Sequence, residues 1–177
     1  FKYLNIHGID ILRGLFNEQY IRGYLEEDLH KASVASIYKK GDSSNLENYR
    51  PISLLQTIYK VLASLIKERI AAGIDRYIHK TQFGFRKAKS TSQALFIARR
   101  LLDISERQGT NMTLILLDWE KAFDKINHTK LMEALQRLNI PTALLNIINN
   151  IYSKPLFKVV AGQYESKYYE QRSGIRQ

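Results

Sequence analysis

Two aspartates stand where a positioned carboxylate could do chemistry. In the stretch 111–127, NMTLILLDWEKAFDKIN, Asp118 ends an unbroken apolar, β-rich run (Thr113, Leu114, Ile115, Leu116, Leu117), and Asp124 follows shortly after. Such a run predicts a strand over 113–117 buried on both faces. A carboxylate at the carboxyl end of a central strand points into the crevice where an α/β sheet holds its reacting groups. The same residue has a plainer use, since Asp often caps the helix that follows. Type and spacing leave both open.

The cations are the second set of residues with chemical potential. Lys and Arg number 27 against 17 Asp and Glu, a net charge of +10, which points to a polyanionic partner such as nucleic acid or an anionic membrane surface. Two basic loops concentrate that charge. Residues 39–50, KKGDSSNLENYR, form a long loop with a turn at Gly41-Asp42; it either presents cations to phosphate as a flexible hairpin or is a solvated charged loop. Residues 79–89, HKTQFGFRKAK, interleave Phe83 and Phe85 with cations. Cations meet phosphates and rings stack on bases, although such phenylalanines also serve as anchors to a core. No cysteine is present, which removes disulfide and thiolate-metal scaffolds, and the four histidines are scattered. There is no Gly-rich phosphate loop, no zinc-ligand spacing, no internal repeat and no apolar run of membrane-spanning length. The chain opens on Phe1 and stops at Gln177 with no closing element, so both ends read as cuts through a longer protein.

The elements that must position these residues follow from hydrophobic period. Apolar positions Ile11, Leu12, Leu15, Phe16 and Tyr20 predict a helix over 9–25, and alternation over 32–38 predicts a short strand. Leu54, Leu55, Ile58, Val61, Leu62, Leu65 and Ile66 predict a helix over 53–72. A further helix spans 90–107, capped by Ser90 or Thr91 and ended by Gly109. Two shorter helices follow, one over 128–138 and one begun by Pro141, and 156–171 reads as a hairpin turning near Ala161-Gly162.

The order IYKKGD, NYRPISL, TQFGFR, LDWEKAFDKINH and SGIRQ resembles the reverse transcriptases of non-LTR (LINE-type) retrotransposons, over almost the whole chain. The resemblance implies an α+β fragment of the right-hand polymerase fold. Mostly helical fingers would occupy 1–108. The start of the palm would occupy 109–177, with its first strand, helices and a β-hairpin. It implies that Asp118 is the first catalytic aspartate and a ligand of two Mg²⁺ ions, with the Trp119 carbonyl on the nucleotide-side metal. Phe123 would be the gate under the sugar of the incoming dNTP. Lys39 and Arg50 would hold its triphosphate, and Gln177 would lie against it. Lys40, Gln82, Arg86, Lys87 and Lys89 would meet nucleic acid near the template. The implied partners are an RNA template and a DNA primer or target, with no membrane, and the implied location is the nucleus.

Phosphoryl transfer needs charge neutralised and oxygens aligned, which two metals held by several hard carboxylates accomplish. Asp124 is expected to be structural, on the turn below the gate. The paired aspartates of the family, usually Tyr-x-Asp-Asp, are absent, and no Asp-Asp pair occurs in the sequence. The chain alone is therefore expected not to polymerise. The rival readings are a non-catalytic nucleic-acid-binding module or decayed retroelement remnant, and an RNA-processing nuclease that leaves the Lys39–Arg50 loop unexplained.

Overall fold

A computed structural model describes residues 5–176. Helix α1 (Ile6–Arg22) is followed by strand β1 (Lys31–Tyr38), strand β2 (Tyr49–Leu54) and helix α2 (Thr57–Ile74). Helix α3 (Thr91–Gln108) comes next, then α4 (His128–Arg137) and α5 (Thr142–Ser153). Strands β3 (Leu156–Ala161), β4 (Tyr164–Glu165) and β5 (Tyr169–Glu170) close the chain. Among the described residues, five α-helices and a mixed sheet make an α+β fold. Among the described residues no helix is long and apolar enough to cross a membrane.

The helices begin and end where local chemistry satisfies their terminal backbone groups. The Asn5 side chain accepts from the Gly8 N–H at 2.9 Å, and Asn127 does the same for the Lys130 N–H at 3.0 Å. Ser90 and Gln93 form a reciprocal capping box at the start of α3, and Gly109 ends that helix in the left-handed region.

The chain divides into two compact units, residues 1–70 with 121–177, and residues 71–120. In the first, the strand order is β2-β1-β3-β4, with β5 also paired to β3. β1 runs antiparallel to β2 and parallel to β3. The core gathers Leu25, Leu29 and Ala32 at the approach to β1, Tyr59, Leu62 and Ile66 of α2, and Leu144, Ile147, Ile148 and Ile151 of α5. Burying these side chains excludes water from a sheet that joins strands from both sides of residue 108. β1 and β3, on either side of residue 108, thus pair within the first compact unit.

Two elements differ from the sequence reading. Strand β2 occupies 49–54, which hydrophobic period assigned to the end of a loop and the start of a helix. Pro51 argues against a central strand, but β2 is the outer strand of the sheet, where a missing N–H is tolerated. The second difference concerns the predicted strand at 113–117. Residues 110–119 adopt no regular structure, and Leu116 and Leu117 are 85% and 89% exposed. A strand exists only through its neighbours, and the sheet lies wholly in the other compact unit. The unit 71–120 has no buried side chain, and Leu95, Phe96, Leu101 and Leu102 along α3 are exposed.

Candidate functional site

The β1–β2 hairpin carries the cations of the 39–50 loop. Ile37 pairs with Arg50 and Tyr38 with Tyr49, and the Lys39 N–H continues the ladder to Asn48 O at 2.8 Å. Side chains alternate along a strand, so Lys39, two residues beyond Ile37, shares the face of Arg50 as its diagonal neighbour. Both are exposed, and among the described residues neither makes an ion pair. Lys40 is exposed on the turn beyond Lys39.

The hairpin loop is built, not slack. The Asn48 Nδ2 donates to Asp42 O at 2.8 Å and the Tyr49 hydroxyl to Ser43 O at 2.9 Å, while the Tyr38 and Tyr49 rings meet edge to face at 5.5 Å. Gly41 has φ +98°, and a Cβ there would lie 2.7 Å from Asn48 Nδ2. Two cations held on one face of a rigid hairpin suit an anion whose oxygens arrive together.

The second cluster joins residues far apart in sequence. Residues 120–125 form a turn with Lys121 in the left-handed region, and Phe123 sits on it, 39% exposed. The segment 173–176 lies against this turn. The Ile175 N–H donates to Phe123 O at 2.9 Å, the Gly174 N–H to Ile126 O at 2.7 Å, and the Ser173 hydroxyl to Asp124 O at 3.3 Å. His128 Nε2, at the start of α4, lies 2.7 Å from Gly174 O. A carbonyl only accepts, so this ring nitrogen carries the proton. Gly174 has φ +81°, and a Cβ on it would come within 2.8 Å of Asp124 O and 2.9 Å of Asp124 Cα. Only glycine fits there.

Arg176 anchors the far end of the segment. Its Nη1 donates to Leu29 O at 3.4 Å and its Nη2 to His30 O, and its guanidinium lies 5.4 Å from the centre of the Tyr59 ring. Around it burial raises the Tyr59 hydroxyl, opposed by the Arg176 charge, and pushes Tyr152 up to about 12. His30 is held below its ordinary 6.5 chiefly by burial, with the Arg176 charge adding to the effect. Gln177 lies outside the described residues.

In the unit 71–120, Asp118 is exposed and, among the described residues, makes no hydrogen bond or ion pair, so it caps no helix. Trp119 is 84% exposed. Among the described residues no three His, Cys, Asp or Glu side chains group to hold an ion.

Arg86 behaves unlike its basic neighbours. Its Nε meets Asp75 Oδ1 at 2.8 Å, its Nη2 meets Oδ2 at 3.0 Å, and its Nη1 donates to His79 O at 3.0 Å. With 10% of its side chain exposed, it folds the 75–89 loop, and the bond from Arg86 holds the Asp75 carboxyl below the usual range. Gln82, Lys87 and Lys89 remain exposed on that loop, with Lys89 5.9 Å from the centre of the Phe83 ring.

Four residues of the second cluster escaped the sequence reading: His128, Gly174, Arg176 and Tyr59. The first three stand inside LDWEKAFDKINH and SGIRQ, but only the fold brings the two stretches together. Nothing in sequence marked Tyr59 beyond a helical position.

Residues 37–177 match the family described as reverse transcriptase (RNA-dependent DNA polymerase). The chain is 31% identical over 170 residues to the RNA-directed DNA polymerase from mobile element jockey of Drosophila funebris, across 92% of this chain and 18% of that protein. It is 30% identical over 139 residues to a 149 kDa protein of transposon TX1 of Xenopus laevis, across 78% of this chain and 11% of that protein. It is 26% identical over 133 residues to the Pol polyprotein from the type-1 retrotransposable element R2 of Popillia japonica, across 75% of this chain and 18% of that protein. The chain thus spans less than a fifth of the length of these relatives.

Proposed function

The chain belongs to the reverse transcriptase (RNA-dependent DNA polymerase) family, of the kind found in non-LTR retrotransposons, and on that premise we propose that it supplies the nucleotide-gripping part of an enzyme that copies retroelement RNA into DNA. The observation that carries the proposal is the pair Lys39 and Arg50. They lie as diagonal neighbours on one face of a braced hairpin, and among the described residues neither meets an acidic side chain. Such an arrangement suits the triphosphate of a dNTP, since guanidinium and ammonium together neutralise phosphate oxygens and hold them in line.

The remaining assignments are part of the same proposal. Residues 1–108 act as fingers and 109–177 as the beginning of a palm. Phe123 lies under the sugar, with its backbone fixed by Ile175, and the proposed contact of Gln177 with the nucleotide concerns a residue outside the described ones. Gln82, Lys40, Lys87 and Lys89 line the nucleic-acid path, and Arg86 shapes their loop by holding Asp75. The family is metal-dependent. Asp118 and the Trp119 carbonyl would contribute to holding two Mg²⁺ ions, together with the paired aspartates of the family, a pair that does not occur in this sequence. By itself the chain should bind nucleic acid, more weakly as salt rises, and extend no primer.

The test uses the full-length protein. Wild type should extend an RNA-templated primer in the presence of Mg²⁺, and Asp118→Asn should abolish extension while leaving template binding unchanged. Undiminished extension by Asp118→Asn would remove Asp118 from the reaction. Absence of extension by wild type, with template bound, would favour a binding module.

A further inference from the structure

His128 faces a backbone carbonyl 46 residues away in sequence. Building on the polymerase reading, we propose that His128 is a positioning residue for nucleotide selection, a latch that sets Phe123 through the 173–176 segment. Four contacts make the chain of cause. His128 Nε2 donates to Gly174 O at 2.7 Å, in a part-buried setting. Gly174 N–H donates to Ile126 O at 2.7 Å, and Ile175 N–H donates to Phe123 O at 2.9 Å. The His128 ring is itself steadied by Tyr152, whose ring centre lies 4.9 Å away. Tyr152 lies on α5 beside the core residues Ile148 and Ile151, so the latch is tied to the rigid part of the unit.

The geometry constrains what the imidazole does. Because Gly174 O is an acceptor, Nε2 must carry the proton and donate it. His128 acts on the nucleotide only through the backbone of 173–175 and of Phe123. The carbonyl that accepts from Ile175 is that of Phe123 itself, so slack in the segment moves the aromatic ring directly.

Two replacements separate the donor from the ring. His128→Phe keeps an aromatic ring against Tyr152 and removes the donor, and His128→Gln places an amide N–H near the position of Nε2. In the full-length polymerase, His128→Phe should leave primer–template affinity unchanged and raise KM for dNTP about tenfold, the scale of one lost part-buried hydrogen bond. It should also lower discrimination against rNTP, and the Ile175 amide should exchange with solvent faster. His128→Gln should restore KM, discrimination and protection to near wild type, with a pH–rate profile superimposable on that of wild type.

Wild-type KM and discrimination in a folded His128→Phe enzyme would overturn the latch, and so would a pH limb that disappears in His128→Gln. Slower exchange or failed rescue by Gln would also overturn it. A wild-type protein that incorporates no nucleotide would bring down the polymerase reading first, and this inference with it.

Discussion

Gly174→Ala puts the packing of the 173–176 segment to a quantitative test. Two costs add. At φ +81° a Cβ meets the following backbone, a strain of about 1–2 kcal/mol. The new methyl would also lie 2.8 Å from Asp124 O, 2.9 Å from Asp124 Cα and 3.0 Å from Asp124 C, all main-chain atoms with no rotamer to yield. Relief requires the turn and the segment to separate, which loosens the bonds to Ile126, Phe123 and His128 at about 1 kcal/mol each. The sum is about 4–5 kcal/mol of local stability. Hydrogen exchange at the Ile175 amide in the full-length protein reads this directly, and the expected acceleration is about three orders of magnitude. Gly162→Ala is the internal control. Its φ is +61° and a Cβ there meets nothing within 4 Å, so it carries the strain without the collision. It should loosen its own hairpin about tenfold and leave Ile175 unchanged. Ile175 exchange in Gly174→Ala within about threefold of wild type would refute the close approach.

Other perturbations reach different parts of the site. Phe123→Val should leave the protein folded, since the ring is 39% exposed, and raise rNTP use relative to dNTP; an unchanged ratio in a folded variant removes Phe123 from sugar selection. Arg50→Ala should lower kcat/KM for dNTP about a hundredfold, and Arg50→Lys should recover little of it, because an ammonium cannot make the two parallel bonds of a guanidinium; weaker template binding with unchanged dNTP use would move Arg50 to the template path. His30, held below 6.5 by burial, makes the fold acid-sensitive. As pH falls below 6.5 the unfolded chain takes up a proton that the folded chain refuses, so stability drops until the lowered folded value is passed. Melting temperature measured between pH 7 and 5 should therefore fall less steeply in His30→Gln, and an identical slope would show that another group titrates. Tyr152 works at the other end, because its hydroxyl at about 12 resists ionisation that the unfolded chain undergoes near 10.0. Stability should decline as pH rises above 10, and Tyr152→Phe should lessen that decline and leave the part due to Tyr59, whose hydroxyl is also raised by burial.

What the sequence determined by itself was local. The cap at Ser90, the stop at Gly109 and the helical spacing of α2 and α3 depend on neighbours a few residues away, so residue order is enough to state them. The motif order IYKKGD, NYRPISL, TQFGFR, LDWEKAFDKINH and SGIRQ was likewise legible, and with it the family. Tertiary structure decided everything that rests on two distant partners. Pro51 became part of a strand because β2 has a neighbour on one side only. The run 113–117 has the composition of a buried strand, yet it forms none, because composition does not provide the strand it must pair with. Arg86 reads as one more cation for phosphate until Asp75 is found gripping it. Nothing in the sequence marks Gly174 as confined, and only the fold shows the Asp124 backbone leaving no room for a side chain. Hydrogen bonds and steric exclusion act over a few ångströms whatever the separation along the chain. A linear reading therefore named residues of the site, and only the fold showed which of them hold the others in place.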